Sequence, residues 1–296
     1  MIELARPLVT IAIAVRNGMP TVRDALSSSF AQTYEPKEVV AADGLSTDGT
    51  LEELKKWPLR DVFSDGGAGL ARARQLLLQA ARGKYVLWVD ADHVLPTDFL
   101  EKQVAFAEAN PDLGAVEAIV YPLDGGAAGF TEGLTRLVLT WRRAKRGKSL
   151  PASGTPVTLF RKEAAMGAGG FDPRFTTAGE DSMITRAMRA KGWRFAVNPN
   201  AWAYHAGRSS WAELWREYYN WGRAARRVAA AYPGTVSAWK SFPAVALVSG
   251  LLNAARAAKL SASAYSFLIP VHSLYKRAAW SYGYLKEKPS IKRELS

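Results

Sequence analysis

Short apolar runs alternate with amphipathic stretches through the first part of the chain. Continuous apolar runs of about four to eight residues are typical of buried strands, whereas apolar residues that recur every three or four positions indicate helices. The predicted strands are Leu8–Val15, Lys37–Ala42, Asp61–Phe63, Tyr85–Val89 and Gly114–Tyr121. Strands that alternate with helices in this way predict an α/β fold with a mostly parallel central sheet flanked by helices.

The helical stretches between these strands are amphipathic and are bounded by glycine-rich turns. They cover Thr21–Gln32, Leu51–Trp57, Leu70–Ala81, Thr97–Asn110, a basic stretch that ends near Arg146, and Glu180–Lys191. Gly66–Gly69 predicts a turn before the third helix, and Gly167–Pro173 predicts a loop. A helix rich in aromatic and basic residues begins at Ser209. We therefore place a domain boundary near Gly207, which divides the chain into residues 1–207 and 208–296.

The C-terminal region contains two apolar stretches, Phe242–Ala255 and Leu260–Tyr275. Both are shorter than the roughly 18–20 apolar residues of a membrane-spanning helix. Basic residues flank them, and aromatic residues stand near their edges at Trp239, Trp280, Tyr282 and Tyr284. This pattern favours membrane association, as interfacial or re-entrant helices or as a short helical hairpin that reaches partly into the bilayer. The alternative is that these helices pack on the protein core.

The charge distribution agrees with that prediction. The formal net charge is +12, but residues 205–296 hold fourteen Lys and Arg against four Glu and no Asp, which is +10. A basic region confined to the tail favours an anionic membrane surface, and we expect no nucleic-acid partner. The absence of cysteine excludes disulfides, thiolate metal sites and cysteine nucleophiles. The N-terminal residues do not resemble a secretory signal, so the expected location is the cytoplasmic face of the cell membrane.

The triplet Asp90-Ala91-Asp92 directly follows the most apolar predicted strand. Ligands of open α/β sheets bind beyond the carboxyl ends of the strands. Two nearby carboxylates are suitable ligands for a hard cation such as Mn²⁺ or Mg²⁺. An Asp-x-Asp triplet also occurs in ordinary loops, so its position after a buried strand is what favours a metal site.

Four motifs in order resemble those of the family-two inverting glycosyltransferases, which have the A-type nucleotide-diphospho-sugar transferase fold. They are Val9–Asn17, Asp43–Thr50, Leu87–Asp92, and Gly169–Asp172 followed by Gly179–Asp181. Together they cover roughly residues 8–205. The chain is similar to membrane-associated mannosyltransferases of lipid-linked glycans, as in dolichol-linked N-glycan biosynthesis, and distantly to cellulose-synthase-like enzymes.

The resemblance implies a role for several residues. Asp43 would recognise the nucleotide base, Asp92 would bind the metal with Asp90 assisting, and Asp181 would be the catalytic base. Glu180 would bind the acceptor or orient Asp181, although an acidic residue is also ordinary at a helix N-terminus. The implied donor site comprises Ala14, Val15, Arg16, Asn17, Asp43, Arg72, Arg74, Asp90 and Ala91.

Three of the implied roles have structural alternatives. Arg72 and Arg74 follow the glycine-rich turn and would lie beside the nucleotide, or they belong to a solvated helix face. His205 would bind the metal or the diphosphate, or it is structural. Trp221 would contact the acceptor, or it packs on an amphipathic helix. Cellulose-synthase-like relatives carry Gln-x-x-Arg-Trp at this point, but here the segment is Glu217–Trp221, which favours transfer of one sugar over polymer synthesis.

The expected function is therefore metal-dependent, inverting transfer of one sugar from a nucleotide-sugar donor. The preferred donor is GDP-mannose, with UDP-sugars as the alternative, and the acceptor is a dolichyl- or polyprenyl-linked glycan or phosphate. Residues 1–207 would form the catalytic domain, and residues 208–296 would hold the interface helix and a helical membrane-associated tail. Two alternatives remain: a haloacid-dehalogenase-like phosphatase with Asp90 as its nucleophile, and a non-catalytic basic membrane adaptor.

Overall fold

A computed structural model describes residues 6–123, 125–147, 150–176, 178–207, 210–231 and 243–288. The chain forms two compact units. The first comprises Met1–Tyr121, Thr140–Thr176 and Glu180–His205, and the second comprises Pro122–Leu139, Thr177–Gly179 and Ala206–Ser296. The predicted boundary at Gly207 stands close to the change of unit after His205. The second unit also contains residues 122–139, which the prediction gave to the first domain.

An eight-stranded sheet forms the centre of the first unit. Its strands are β1 Val9–Val15, β2 Lys37–Asp43, β3 Asp61–Ser64, β4 Tyr85–Trp88, β5 His93–Val94, β6 Leu113–Pro122, β7 Thr158–Arg161 and β8 Arg194–His205. They lie in the order β3-β2-β1-β4-β7-β6-β8-β5. The pairs β3–β2, β2–β1 and β1–β4 are parallel, whereas β4–β7, β6–β7 and β5–β8 are antiparallel. The predicted α/β class is confirmed, as a mixed sheet whose parallel part is the first half.

Helices connect and cover the strands. They are α1 Val22–Phe30, α2 Thr50–Leu54, α3 Leu70–Ala80, α4 Phe99–Glu108, α5 Gly126–Ala144, α6 Lys162–Gly167 and α7 Glu180–Ala190. Every residue of β4 is buried, as the continuous apolar run from Tyr85 predicts. The same is true of β1 except at Ala14, which is half-buried. The central strands thus bury both faces, which is typical of parallel sheets covered by helices.

Three strands were missing from the sequence prediction or were reduced to fragments. β5 has only two residues and β7 only four, so neither shows a hydrophobic period. β8 is long but carries a buried asparagine, Asn198, whose amide donates to Lys102 O over 3.0 Å. A polar residue in a strand interior hides the apolar pattern, although its buried amide is satisfied by this bond.

The second unit is helical. It contains α8 Trp211–Ala231, α9 Pro243–Ser261, a 3₁₀ helix Ala264–Leu268 and α10 Ile269–Lys286. Leu134 and Val138 of α5 pack with Ala257 and Ile269, which explains why residues 122–139 belong to this unit.

Two glycines allow α8 and α10 to approach each other closely. A Cβ atom on Gly222 would lie 1.9 Å from the Trp280 carbonyl oxygen, and one on Gly283 would lie 2.0 Å from the Tyr219 carbonyl oxygen. Since no side chain fits at either point, the two helices pack backbone to backbone.

Among the described residues, no helix has the length and apolarity that crossing a membrane requires. Two residues of the predicted tail pattern, Trp239 and Phe242, lie outside the described residues.

Candidate active site

The predicted donor residues meet where β1 and β2 end. The last residues of these parallel strands, Val15 and Asp43, are direct partners in the sheet. Asp43 is 2% exposed, and its Oδ2 accepts a hydrogen bond from Ser46 N over 3.1 Å. Its Oδ1 is buried and has no hydrogen-bond partner among the described residues. A buried carboxylate oxygen without a partner is costly, so this atom is suited to accept a hydrogen bond from a ligand.

Hydrogen bonds join the loops that follow these two strands. Asn17, with a φ of +52°, accepts from Thr47 N over 2.8 Å through its side-chain oxygen. Asp48 accepts from Met19 N over 2.9 Å, and the bond from the Thr50 hydroxyl is the main cause that lowers the pKa of Asp48. The loops after β1 and β2 therefore hold each other in place beside Asp43. Ala14 is half-buried in β1, and Arg16 is exposed in the loop that follows.

Arg74 of α3 links two acidic groups that are distant in sequence. Its Nη2 donates to Asp90 Oδ1 over 2.9 Å, and its Nη1 donates to Glu180 Oε1. Burial acts to lower the pKa of Arg74, but the charges of Glu180 and Asp90 outweigh it, so the pKa is raised. Arg74 is 3% exposed, and a buried guanidinium requires such partners. Arg72 on the same helix is exposed, so its donor contact stays a prediction.

Glu180 and Asp181 begin α7 next to this guanidinium. Burial raises the pKa of Glu180 to about 7 against the opposing effect of Arg74. Burial also raises the pKa of Asp181, again against Arg74 and against the 2.6 Å hydrogen bond that Asp181 Oδ1 accepts from Ser182 N. A carboxylate with a raised pKa is a stronger proton acceptor. Asp181 is half-buried, so its carboxylate is not sealed from the solvent.

A contact that the sequence did not predict connects α3 to the glycine-rich loop before α7. Gln75 Oε1 accepts a hydrogen bond from Phe171 N over 2.7 Å. Gly170 has a φ of +75°, a backbone conformation that favours glycine, and a Cβ atom there would also lie 2.2 Å from the same oxygen. At the start of α3, Leu70 N donates to Thr176 O over 3.0 Å. The helix that carries Arg74 is thus fixed to the segment that leads to Glu180 and Asp181.

The triplet and the short β5–β8 pair bring three possible metal ligands together. Asp92, His93 and His205 each offer one ligand atom, and these atoms lie within 4.8 Å of one another. Asp92 Oδ1 lies 2.9 Å from His93 Nδ1, and Asp92 Oδ2 lies 3.5 Å from His205 Nε2. Burial acts to raise the pKa of Asp92, but the hydrogen bonds to the two histidines outweigh it and hold the pKa well below its usual range.

This group agrees with the prediction for Asp92 and His205 as neighbours and adds His93, which the sequence prediction left out. Asp90 does not belong to the group, because its Oδ1 contacts Arg74. His93 is 1% exposed, and its Nε2 has no hydrogen-bond partner among the described residues. Carboxylate and imidazole ligands fit a divalent cation of the predicted kind. The adjacent pair Asp92-His93 was a possible signal, but the pairing of His93 with His205 was invisible in the sequence.

Trp221 lies in the second unit, half-buried on α8, with its ring 4.7 Å from that of Tyr218. It lines a cavity of about 350 Å³ between helices of that unit. Its predicted contact with the acceptor stays a prediction.

The sequence model of glycosyl transferase family 2 matches residues 10–165, which is more than half of the chain. The chain belongs to this family. The match covers the parallel strands, Asp43, Arg74 and the Asp90–His93 segment. Because the chain belongs to this family, the haloacid-dehalogenase-like phosphatase is no longer an alternative.

Sequence relatives agree with this assignment. A poly-beta-1,6-N-acetyl-D-glucosamine synthase of Staphylococcus aureus is 24% identical over 228 residues, which are 74% of this chain and 55% of the relative. TuaG of Bacillus subtilis, a glycosyltransferase named for teichuronic acid biosynthesis, is 32% identical over 106 residues, which are 34% of this chain and 42% of the relative. The chain thus spans about half the length of these curated relatives.

Solved structures show the same fold. The mannosyltransferase PcManGT of Pyrobaculum calidifontis, in complex with GDP-Man and Mn²⁺, superposes with a TM-score of 0.65 at 22% identity, covering 95% of this chain and 88% of that one. TarS residues 1–349 of Staphylococcus aureus, in complex with UDP-GlcNAc, has a TM-score of 0.54 at 17% identity, covering 93% and 89%. The predicted A-type glycosyltransferase fold is confirmed.

Proposed function

We propose that this chain is a metal-dependent inverting glycosyltransferase that moves one sugar from a nucleotide-sugar donor to a lipid-linked acceptor. The observation that carries the proposal is the position of Asp43 and of Asp90 to Asp92 at the carboxyl ends of the parallel strands β2 and β4. Arg74 links Asp90 to Glu180, and Asp92 forms a group with His93 and His205. Family membership supports the reaction class.

In this proposal Asp181 is the general base. Attack by an acceptor hydroxyl on the anomeric carbon requires a group that removes the hydroxyl proton. Asp181 is half-buried, and its raised pKa makes it a better acceptor of that proton than an exposed aspartate. A single base with in-line displacement inverts the anomeric centre without a covalent intermediate. Glu180, held by Arg74, orients the start of α7 and thereby Asp181.

Asp92, His93 and His205 would hold the divalent cation. When bound, such a cation stabilises the negative charge that develops on the departing diphosphate. We propose Mn²⁺ before Mg²⁺, because imidazole ligands suit transition metals better than Mg²⁺. PcManGT, which has the same fold, was solved with Mn²⁺.

The unpaired Oδ1 of Asp43 would accept a hydrogen bond from the nucleotide base. GDP-mannose remains the first donor to test, and UDP-sugars are the alternative. Structures of the same fold are known with GDP-Man in PcManGT and with UDP-GlcNAc in TarS. The bases of both nucleotides have hydrogen-bond patterns that are compatible with a carboxylate, so a direct comparison of the two donors is required.

The proposed acceptor is a dolichyl or polyprenyl phosphate or a glycan linked to one, at the cytoplasmic face of the membrane. Support comes from exposed apolar residues on α9, the 3₁₀ helix and α10, namely Leu247, Val248, Leu251, Leu252, Phe267 and Val271. No acidic residue occurs from Pro243 to Lys286. Apolar side chains on a basic surface are typical of helices that dock on anionic membranes.

Transfer of a single sugar is supported by Glu217–Trp221, which departs from the Gln-x-x-Arg-Trp of polymer synthases in all but the tryptophan. The named activity of the Staphylococcus aureus relative is synthesis of a polymer, so product length is a discriminating measurement.

The test is incubation of the purified full-length chain with Mn²⁺, a short polyprenyl phosphate and either GDP-mannose or UDP-GlcNAc. Mass spectrometry of the lipid product identifies the donor and the number of sugars added. We expect one hexose from GDP-mannose and a β-configured product from an α-configured donor. A wider panel of nucleotide sugars follows if neither of these donors reacts. If the chain neither binds nor uses any sugar of that panel, it is the non-catalytic basic adaptor instead.

A further inference from the structure

The second unit contains a cavity with an unusual chemical lining. Its volume is about 350 Å³, which is roughly twelve water molecules at ~30 Å³ each and lies within the range of small-molecule pockets. Two cations line it, Lys276 and Arg277 of α10, and its lining includes no carboxylate. Hydroxyl and amide groups contribute the remaining polar surface, among them Ser249, Ser273 and Asn253.

The positive charge of Lys276 is already paired with a carboxylate of the protein. Its Nζ lies 2.6 Å from Glu132 Oε2. Glu132 also accepts from the Tyr218 hydroxyl over 2.9 Å and from Arg136 Nε over 3.3 Å. Burial acts to raise the pKa of Glu132, but Lys276 and Arg136 outweigh it and lower the pKa to about 2. Glu132 is therefore ionised and its oxygens are engaged, so it does not neutralise a further cation.

Arg277 is different. No carboxylate in the described part of the chain pairs with it, and its Nε is buried without a hydrogen-bond partner. Its guanidinium carbon lies 5.4 Å from the centre of the Trp280 ring, and burial lowers its pKa. A buried guanidinium nitrogen without a partner is unfavourable unless a ligand supplies the missing acceptor.

Residues of four helices, α5, α8, α9 and α10, form the walls of the cavity. Trp280 stacks on Tyr284, with ring centres 5.2 Å apart and planes inclined by 15°. α10 packs against α8 backbone to backbone at Gly222 and Gly283. Arg277 lies on α10 and is therefore part of this close-packed wall.

We propose that this cavity binds a phosphate-bearing group through Arg277. Guanidinium groups bind phosphate oxygens by charge-assisted hydrogen bonds, and hydroxyl and amide groups complete the coordination of the remaining oxygens. The volume exceeds what a single phosphate fills, so the ligand is a diphosphate or a phosphate that carries a further group. Trp221, the predicted acceptor contact, also lines this cavity, so the inference deepens the proposed lipid-phosphate acceptor and rests on that proposal, while its test measures binding alone.

The first experiment measures binding of inorganic diphosphate to the full-length chain by titration calorimetry in EDTA. The chelator removes divalent cations, so diphosphate does not bind through a metal at the other site. We expect Arg277→Gln to weaken binding by about tenfold or more, the equivalent of one charge-assisted hydrogen bond. The matched control is Arg256→Gln on α9, which does not line the cavity and should change affinity less than about twofold.

A second variant tests the same site independently, in case Arg277→Gln does not fold. Asn253→Asp has nearly the same shape but places a negative charge on the cavity wall, and it should weaken diphosphate binding by a similar factor. Far-ultraviolet circular dichroism and melting temperatures establish that each variant is folded.

A second arm of the experiment, binding to vesicles, distinguishes a lipid headgroup from a free phosphate as the ligand. Vesicles of phosphatidylcholine with phosphatidic acid present a phosphate monoester, and co-sedimentation measures how much protein they bind. Binding that Arg277→Gln weakens and Arg256→Gln spares, in either arm, supports the site, and the arm in which it occurs identifies the source. The proposal is overturned if the wild-type chain binds neither probe, or if Arg277→Gln and Asn253→Asp bind both probes as the wild type does.

Discussion

His93 and His205 face each other as partners in the antiparallel β5–β8 pair, with their ring centres 4.6 Å apart. The two carboxylate oxygens of Asp92 each contact a nitrogen of one ring. The strand pairing thus assembles the possible metal ligands from segments more than a hundred residues apart. The same pairing makes His93, which follows the Asp-x-Asp triplet, as well placed to bind a metal as the predicted ligand His205.

Substitution of either histidine tests this arrangement. We expect His93→Ala and His205→Ala each to weaken Mn²⁺ binding by about tenfold or more, because each removes one of three ligands. Calorimetric titration of the purified chain with Mn²⁺ measures the change. Asp98→Asn alters an exposed carboxylate and is the control. If His93→Ala binds Mn²⁺ as the wild type does, His93 is a structural neighbour and not a ligand.

Removal of Arg74 should destabilise the first unit. Arg74→Gln leaves Glu180 and Asp90 without their cation, and breaking a buried pair costs about 3–5 kcal/mol. Urea unfolding followed by circular dichroism measures the loss. Arg72→Gln on the exposed face of the same helix should change the free energy of unfolding by less than about 0.5 kcal/mol. Equal effects of the two substitutions would contradict the pairing.

The close packing of α8 and α10 predicts that replacing the glycines at their contact destabilises the protein. Gly222→Ala and Gly283→Ala each place a Cβ atom within 2.0 Å of a backbone oxygen, so we expect losses of about 1–3 kcal/mol or more. The control is Gly167→Ala, since no atom lies within 4 Å of the Cβ that it would add. Melting temperatures compare the three variants. A neutral Gly222→Ala would show that the helices are farther apart.

The second unit should lose stability in acid. Burial lowers the pKa of His272 to about 3, so the unfolded chain binds a proton at about pH 6.5 that the folded chain excludes until about pH 3. Between about pH 4.5 and pH 2, Glu132 is protonated only in the unfolded chain, because its pKa in the folded chain is about 2. Both groups therefore make stability fall as the pH falls, His272 from about 6.5 and Glu132 from about 4.5.

Urea unfolding of the wild type and of His272→Asn at pH 7 and at pH 5 isolates the contribution of His272, because the other titrating groups, such as Glu180, are common to both proteins. We expect His272→Asn to show a smaller decrease between these pH values than the wild type shows. An identical decrease in both proteins would mean that other groups cause the pH dependence.

The sequence predicted the parts of the fold that depend on local pattern. β1 and β4 are continuous apolar runs, and the helices between them have a clear amphipathic period. The motif order led to the family, which the family model confirms. The roles that the resemblance implies for Asp43, Asp92 and Asp181 stay predictions.

What the sequence did not predict depends on long-range contacts. β5 is too short to show a period, and β7 enters the sheet antiparallel between β4 and β6. The partners of Arg74 are 16 and 106 residues away, so no spacing rule shows that it joins Asp90 to Glu180. The assignment of residues 122–139 to the helical unit likewise follows from packing against Ala257 and Ile269.

The central claim is that Asp181 is the base of a glycosyl transfer reaction. The most direct test is Asp181→Asn, measured by single-turnover transfer and by donor binding in the same preparation with Mn²⁺. The substitution keeps the shape of the side chain but removes its basicity, so we expect the transfer rate to fall by about 10²–10⁴-fold with donor affinity nearly unchanged. Transfer by Asp181→Asn at the wild-type rate would contradict the mechanism.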